Sequence, residues 1–347
     1  MKSALEQSPE RLAFYEEIGR ESLTALWNVM GSLVTSEPRS SCAPFLWRFD
    51  RVRDHMMHAG KLITAKEAER RVLILENPGL RGQSKITTSL FAGVQLIMPG
   101  EVAPAHRHSQ SALRFVLQGE GAYTAVDGER CSMRPGDFII TPAMTWHDHG
   151  NPTQEPVFWL DGLDIPLVQF FDASFAENFG ADTQPISRPS GHSYAKYGHN
   201  LLPVDARHLG ATSPVFSYPY ASAREALHKL EAAGELDRCH GVKLRYSNPL
   251  TGGHAMPGIG AAIQLLPGGF ATARYRATDA TVFAVVEGRG RTEVGGTVLA
   301  WGPKDIFVLP SWHWVVHHAD EDAVLFSFSD RPVQEKLDLF REDRGNA

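Results

Sequence analysis

The run Pro99-Gly100-Glu101-Val102-Ala103-Pro104-Ala105-His106-Arg107-His108, answered some forty residues later by Trp146-His147-Asp148-His149, decides how the rest of the chain is read. One His-x-His is weak evidence, since 15 histidines scattered over 347 residues would give roughly 0.6 such pairs by chance. Two pairs, each inside its own extended stretch, call for a structural cause. Residues two apart on a strand face the same way, so His106 projects with His108 and His147 with His149. A metal needs that convergence.

Outward from these pairs, the chain from Val72 breaks into short apolar runs separated by Gly and Pro, the pattern of an antiparallel β fold. Strands are predicted over Val72-Leu75, Leu90-Met98, Ala112-Leu117, Gly121-Val126, Phe138-Thr141 and Val157-Leu160. Turns fall at Asn77-Pro78-Gly79, Met98-Pro99-Gly100, Asp127-Gly128 and Arg134-Pro135-Gly136. This density of short strands predicts a barrel or jelly roll.

The unit then returns. Leu266-Pro267-Gly268-Gly269 answers Met98-Pro99-Gly100-Glu101, and Val286-Glu287-Gly288-Arg289-Gly290 answers Leu117-Gln118-Gly119-Glu120-Gly121. Likewise the run from Gly302 to Pro310 answers that from Arg134 to Pro142. The chain is therefore read as a tandem duplication, mostly β, with two barrels at 72–175 and 236–347. Between them 176–235 reads as a surface linker carrying a helix from Ser222 to Ala233.

Residues 1–71 read as helical. Ser8-Pro9-Glu10 supplies a capping oxygen, a pre-set φ and a first-turn acid. Leu12, Tyr15, Ile18, Leu23, Leu26, Trp27 and Met30 follow at near-helical spacing, up to a turn at 36–41. A second helix is expected from Pro44 through Met57, and a short third one from Thr64 to about Arg71.

Composition excludes several classes. A net charge of −6 without basic runs argues against a nucleic-acid surface. Cys42, Cys131 and Cys239 are too few and too scattered for a disulfide framework or a thiolate zinc site, and read as free thiols of a reducing compartment. No apolar run reaches membrane-spanning length, and Glu6, Glu10 and Arg11 interrupt any signal-peptide core. A cytoplasmic protein is expected.

The duplication acts as an internal control on the histidines. Counted from Pro99 and Pro267, Arg274 and Arg276 stand where His106 and His108 do; counted from Pro142 and Pro310, Val315 stands for His147. The second barrel has lost the ligands, and His317 and His318 read there as structural polar residues. One metal per chain follows. Three imidazoles suit iron, zinc, nickel or copper alike.

Arg114, six residues past His108, has the parity to enter the same interior if no bulge intervenes, where its planar fork suits a ligand's carboxylate or a protein acid such as Asp161. Phe91, Gly93 and Gln95 alternate on one strand face, offering an aromatic wall, a gap and an amide, or equally a set of core residues.

The spacing Gly100, five residues, His106-x-His108, on to Gly119, then Gly136, five residues, Pro142, His147 and Asn151 resembles the cupin family, which makes the chain similar to a bicupin: two tandem double-stranded β-helix (jelly-roll) barrels with an N-terminal helical region. It departs from the common cupin pattern in one place. Ala112 or Leu113 stands where a ligating glutamate is usual, leaving three imidazoles and open coordination positions.

More narrowly, the strings Glu69-Arg70-Arg71-Val72-Leu73, Asn77-Pro78-Gly79-Leu80, Ser111-Ala112-Leu113-Arg114-Phe115 and Phe326-Ser327-Phe328-Ser329-Asp330-Arg331-Pro332, together with the opening run, resemble gentisate 1,2-dioxygenase and relatives acting on salicylate, 5-substituted salicylates and 1-hydroxy-2-naphthoate. The resemblance covers nearly the whole chain. It implies non-haem Fe(II) on His106, His108 and His147, with O2 and a small aromatic hydroxy acid as partners. It further implies that Arg114 binds the substrate carboxylate, that Gln95 and His149 contact substrate or oxygen, and that Asp161 and Arg70 support them. It implies a homotetramer and cleavage of the ring between the carboxyl- and hydroxyl-bearing carbons. His149 is then an acid-base candidate if its pKa lies near neutrality. A zinc isomerase or hydrolase and a non-catalytic aromatic-acid sensor fit the same ligands.

Overall fold

The computed structural model describes residues 8–207 and 210–345, and the chain divides into two compact units after Arg39. In the first unit Ser8 caps the helix Pro9–Arg20, its hydroxyl accepting from the Arg11 N–H at 3.3 Å. The single helix expected through Met30 is two. Ser22 takes a φ of 59°, the Leu23 N–H turns back to the Ile18 carbonyl, and a new helix runs over Leu26–Leu33. This left-handed ending satisfies carbonyls that a straight continuation would have served, so periodicity alone could not reveal it.

In the second unit Pro44 does not open a helix. Phe45–Trp47 is a strand paired with Ile306–Leu309, Phe45 opposite Val308. Only then does the helix Phe49–Leu62 start, its first amide donating to Asp305 Oδ1 at 2.9 Å. Aromatic residues suit a sheet edge, and the capping acid comes from the far end of the chain, beyond the reach of local pattern. Thr64 and Glu67 close the expected short helix with a reciprocal capping box.

Each barrel is two facing sheets. In the first, a six-stranded sheet runs in the order Ser217–Tyr218, Phe138–Thr141, Ala112–Gln118, Val157–Leu163, Phe91–Ile97, Val72–Ile74. Facing it is a five-stranded sheet in the order Ala176–Asn178, Val102–His108, His147–Gly150, Tyr123–Val126, Glu129–Ser132. The stretch expected to be a linker thus gives a strand to each sheet, as well as the helix Tyr220–Ala232. Ala176–Asn178 pairs directly with the ligand strand, Asn178 opposite His106.

The second barrel repeats the scheme with six strands, one of them Phe45–Trp47, against three. The repeated turns hold their geometry. Gly119 and Gly288 have φ of +85° and +77°, and a Cβ on either would lie 2.6 Å or 2.3 Å from a carbonyl oxygen.

The six-stranded sheets pack back to back and share one core. Val94, Phe115, Phe138 and Leu160 meet Ile263, Val282, Phe326 and Phe328, with Phe115 and Phe326 stacked at 4.1 Å. Separate apolar clusters fill the far side of each sheet, around Trp159 in the first barrel and Phe307 in the second. The three cysteines are buried and free. Among the described residues no helix is long and apolar enough to cross a membrane.

Candidate metal centre

Strand register brings the histidines together. His106 on Val102–His108 lies directly opposite His147 on His147–Gly150, after a register shift between Ala103 and His106. Their rings are 4.2 Å apart, and His108 stands 4.8 Å from His147. One ligand atom from each of the three falls within 4.8 Å of the others. His149 is beside them, 5.9 Å from His147.

Backbone carbonyls set the tautomers. His108 Nδ1 donates to the Gln110 carbonyl and His147 Nδ1 to the Thr145 carbonyl, both at 2.9 Å. A carbonyl can only accept, so each Nδ1 carries the proton and each Nε2 presents a lone pair. His106 is less committed. Its Nδ1 lies 3.2 Å from the Pro104 carbonyl but also against the Arg70 guanidinium, which itself donates to Pro104 at 2.7 Å.

Burial keeps these rings neutral. It lowers the pKa of His106 to about 3, with Arg70 adding to the effect, that of His108 to about 4, and that of His147 well below 6.5. His147 Nε2 is buried with no hydrogen-bond partner among the described residues. Three neutral imidazoles with a costly orphan nitrogen fit a divalent metal held by nitrogen donors.

Arg114 reaches the interior, though not by the parity expected. The chain turns at 109–111, between the ligand strand and Ala112–Gln118, so counting from His108 does not carry across. What places Arg114 is its own strand, where it lies opposite Asp161 and Ile139. Arg114 is 4% exposed, its guanidinium donates to the Thr141 hydroxyl, and its Nε has no hydrogen-bond partner among the described residues. Asp161 is 3.8 Å from that Nε and is itself held by the Trp159 indole N–H at 2.9 Å. Burial, opposed by Arg114, lifts the Asp161 pKa to about 6. The arginine thus has a protein acid nearby and hydrogen-bonding capacity left over.

His149 Nδ1 pairs with the Thr124 hydroxyl at 2.9 Å, and its Nε2 is buried without a partner among the described residues. Burial first, then Arg114, depresses its pKa well below 6.5. The condition of a pKa near neutrality is not met, so His149 sits in the cavity as a neutral imidazole.

Gln95 is buried on Phe91–Ile97, and Phe91 begins that strand half-buried. Gly93 lies opposite Asp161, but the gap it leaves is filled from within: a Cβ there would come 2.4 Å from Val72 Cγ1 and 3.1 Å from the Leu73 carbonyl. Val72 is therefore a cavity-side residue that pattern reading placed only in a strand. Thr141 was missed in the same way, since nothing local marks it as the acceptor of Arg114.

Two jelly-roll barrels with a three-histidine centre in one of them define the class: residues 93–163 match the Cupin domain family, and the chain is a bicupin. Its relatives narrow this. It is 58% identical to gentisate 1,2 dioxygenase 1 of Aquipseudomonas alcaligenes over 96% of both chains. It is 38% identical to 5-aminosalicylate 1,2-dioxygenase of Comamonas sp, covering 95% of this chain and 89% of that one. Its structure matches salicylate 1,2-dioxygenase of Pseudoaminobacter salicylatoxidans, solved as an adduct with gentisate, at a TM-score of 0.94 and 34% identity over 100% of this chain and 97% of that one. The chain belongs to the gentisate 1,2-dioxygenase family.

Proposed function

We propose that the chain is a ring-cleaving dioxygenase that uses Fe(II) and O2 to open a 2-hydroxybenzoate between its carboxyl- and hydroxyl-bearing carbons, with gentisate as substrate and maleylpyruvate as product. The observation that carries this reading is a buried three-histidine cluster beside an arginine with spare hydrogen-bonding capacity. Likeness to the gentisate and 5-aminosalicylate enzymes supports it.

Fe(II) on His106, His108 and His147 would serve as template for acid and oxygen and as a path for electrons between them. Arg114 takes the substrate carboxylate in its fork, and Thr141 and Asp161 hold the guanidinium in place. His149, fixed by Thr124, offers a hydrogen bond to bound substrate or oxygen through Nε2. Gln95 supplies an amide on the same wall as Phe91. Burial keeps the His106 ring neutral, and Arg70, lying against it, adds to that effect.

Salicylate, its 5-nitro derivative and 1-hydroxy-2-naphthoate form the second reading, supported by likeness to the 5-aminosalicylate and salicylate dioxygenases. The enzyme works in the cytoplasm as a homotetramer, and exposed apolar residues such as Trp27, Leu33 and Val34 support self-association. The test is anaerobic Fe(II) loading followed by oxygen-electrode assays on the four acids. Uptake with gentisate is expected. Uptake with none of them would sink the dioxygenase reading, and metal-dependent turnover without uptake would favour zinc chemistry.

A further inference from the structure

The second barrel encloses a polar chamber for which ring cleavage gives no reason. Register shows what it inherited. In the first barrel Val72 faces Gln95 across the edge pair; in the second Lys243 faces Gln264. The Thr124 and His149 pair recurs as Thr292 and His317, at 2.8 Å. Arg114, opposite Asp161, has become Phe283, opposite Ser327. The amide and the imidazole of the first cavity therefore survive without the metal ligands, and the cation has moved from a central strand to Lys243 on the edge strand.

The chamber has a volume of about 50 Å³ and adjoins a cleft of about 570 Å³, with Lys243, His240 and Tyr275 lining both. Gln264, on the chamber wall, is 1% exposed, and neither its Nε2 nor its Oε1 finds a partner among the described residues. A buried amide left wholly unpaired is costly and calls for a partner in the chamber, solvent or ligand. Solvent reaches Lys243 through the cleft, and its ammonium faces the Phe283 ring at 5.9 Å. Its ammonium is charged at neutral pH, as that of a solvent-reached lysine is.

A fully deprotonated inorganic anion such as sulfate would answer the lysine and the amide N–H but leave Gln264 Oε1 empty, because sulfate, like that oxygen, can only accept. An acid that also carries a hydroxyl answers both ends, and Phe283 offers its remainder a ring face. We propose that the second barrel binds a small hydroxy carboxylic acid without a metal, held by Lys243 where chamber and cleft meet and by Gln264 on the chamber wall.

The test titrates iron-loaded protein under nitrogen by calorimetry with salicylate, with malate and with sulfate. It involves no turnover, so its outcome is separate from that of the oxygen assay. A site additional to the iron centre is expected for salicylate or malate, the two arms telling an aromatic from an aliphatic source. Lys243→Met and Gln264→Leu should each weaken that site at least tenfold and leave kcat unchanged, with circular dichroism checking the fold of each. Should one variant fail to fold, the other carries the comparison. A single site for salicylate with no binding of malate, equal binding of sulfate, or a second site untouched by the folded variants would overturn the proposal.

Discussion

The first barrel places His106 opposite His147 and leaves two buried imidazole nitrogens unanswered; the second places Arg274 and Val315 at the matching positions and answers its charges locally. Arg274 lies over the Trp314 ring at 4.1 Å, and Arg276 lies between Trp312 and Trp314 while pairing with Asp343. The jelly roll holds its strand order in both, so the fold does not depend on a metal. Unpaired imidazole nitrogens cluster at the three-histidine centre of the first barrel, whereas in the second the unpaired amide of Gln264 marks the chamber.

The sharpest way to break this comparison is to exchange its terms. His106→Ala should abolish metal binding and oxygen uptake, whereas Arg276→Ala should leave both intact, as read by iron content and an oxygen electrode. The reverse result would put the centre in the wrong barrel. Next in size is Arg114→Met. Losing a charge-assisted hydrogen bond to a carboxylate should lower kcat/KM about 10- to 100-fold, with iron content preserved.

A smaller effect separates the two edge walls. Ala262 already carries a Cβ opposite Ser327, where Gly93 lies opposite Asp161. Gly93→Ala must displace Val72 and should cost about 1–3 kcal/mol, seen as a lower Tm, and Val72→Ala should restore part of it. Ala262→Gly should cost less than about 1 kcal/mol.

A dependence on pH is common to both barrels. Burial lowers His106 and His317 to about 3 and His108 to about 4, while a free imidazole titrates near 6.5. Between those values the unfolded chain binds more protons than the folded one, so stability present above pH 6.5 is lost as pH falls towards 3. Denaturation of the iron-free protein at pH 7, 6 and 5 should show that decline, and His317→Gln should make it shallower.

Much of this was legible in the sequence, for a definite reason. The duplication, the turn glycines and the three clustered histidines are local patterns of spacing, and local spacing survives into the fold. What escaped depends on distant pairing. Phe45–Trp47 is a strand because Ile306–Leu309 lies beside it, Ala176–Asn178 because the ligand strand has a free edge, and Val72 borders the cavity because Gly93 admits it. Lys243 looks like any strand lysine until its register with Gln264 is known. Arg114 was placed correctly by a count that ran across a turn, which makes its position a fact of the strand Ala112–Gln118 rather than a success of parity.

The strand Phe45–Trp47 has a last consequence, for the order in which the molecule can be made. It leaves the ribosome before either barrel, yet its sheet neighbours and the acid that caps the following helix come from the last part of the chain, with Phe49 and Asp305 separated by 256 residues. A contact of that sequence separation adds loop-closure entropy and raises contact order, both of which slow folding. The early strand and the first turn of its helix must wait for nearly complete synthesis. A chain interrupted after the first barrel would expose an unpaired edge, the kind of surface on which nascent proteins associate wrongly.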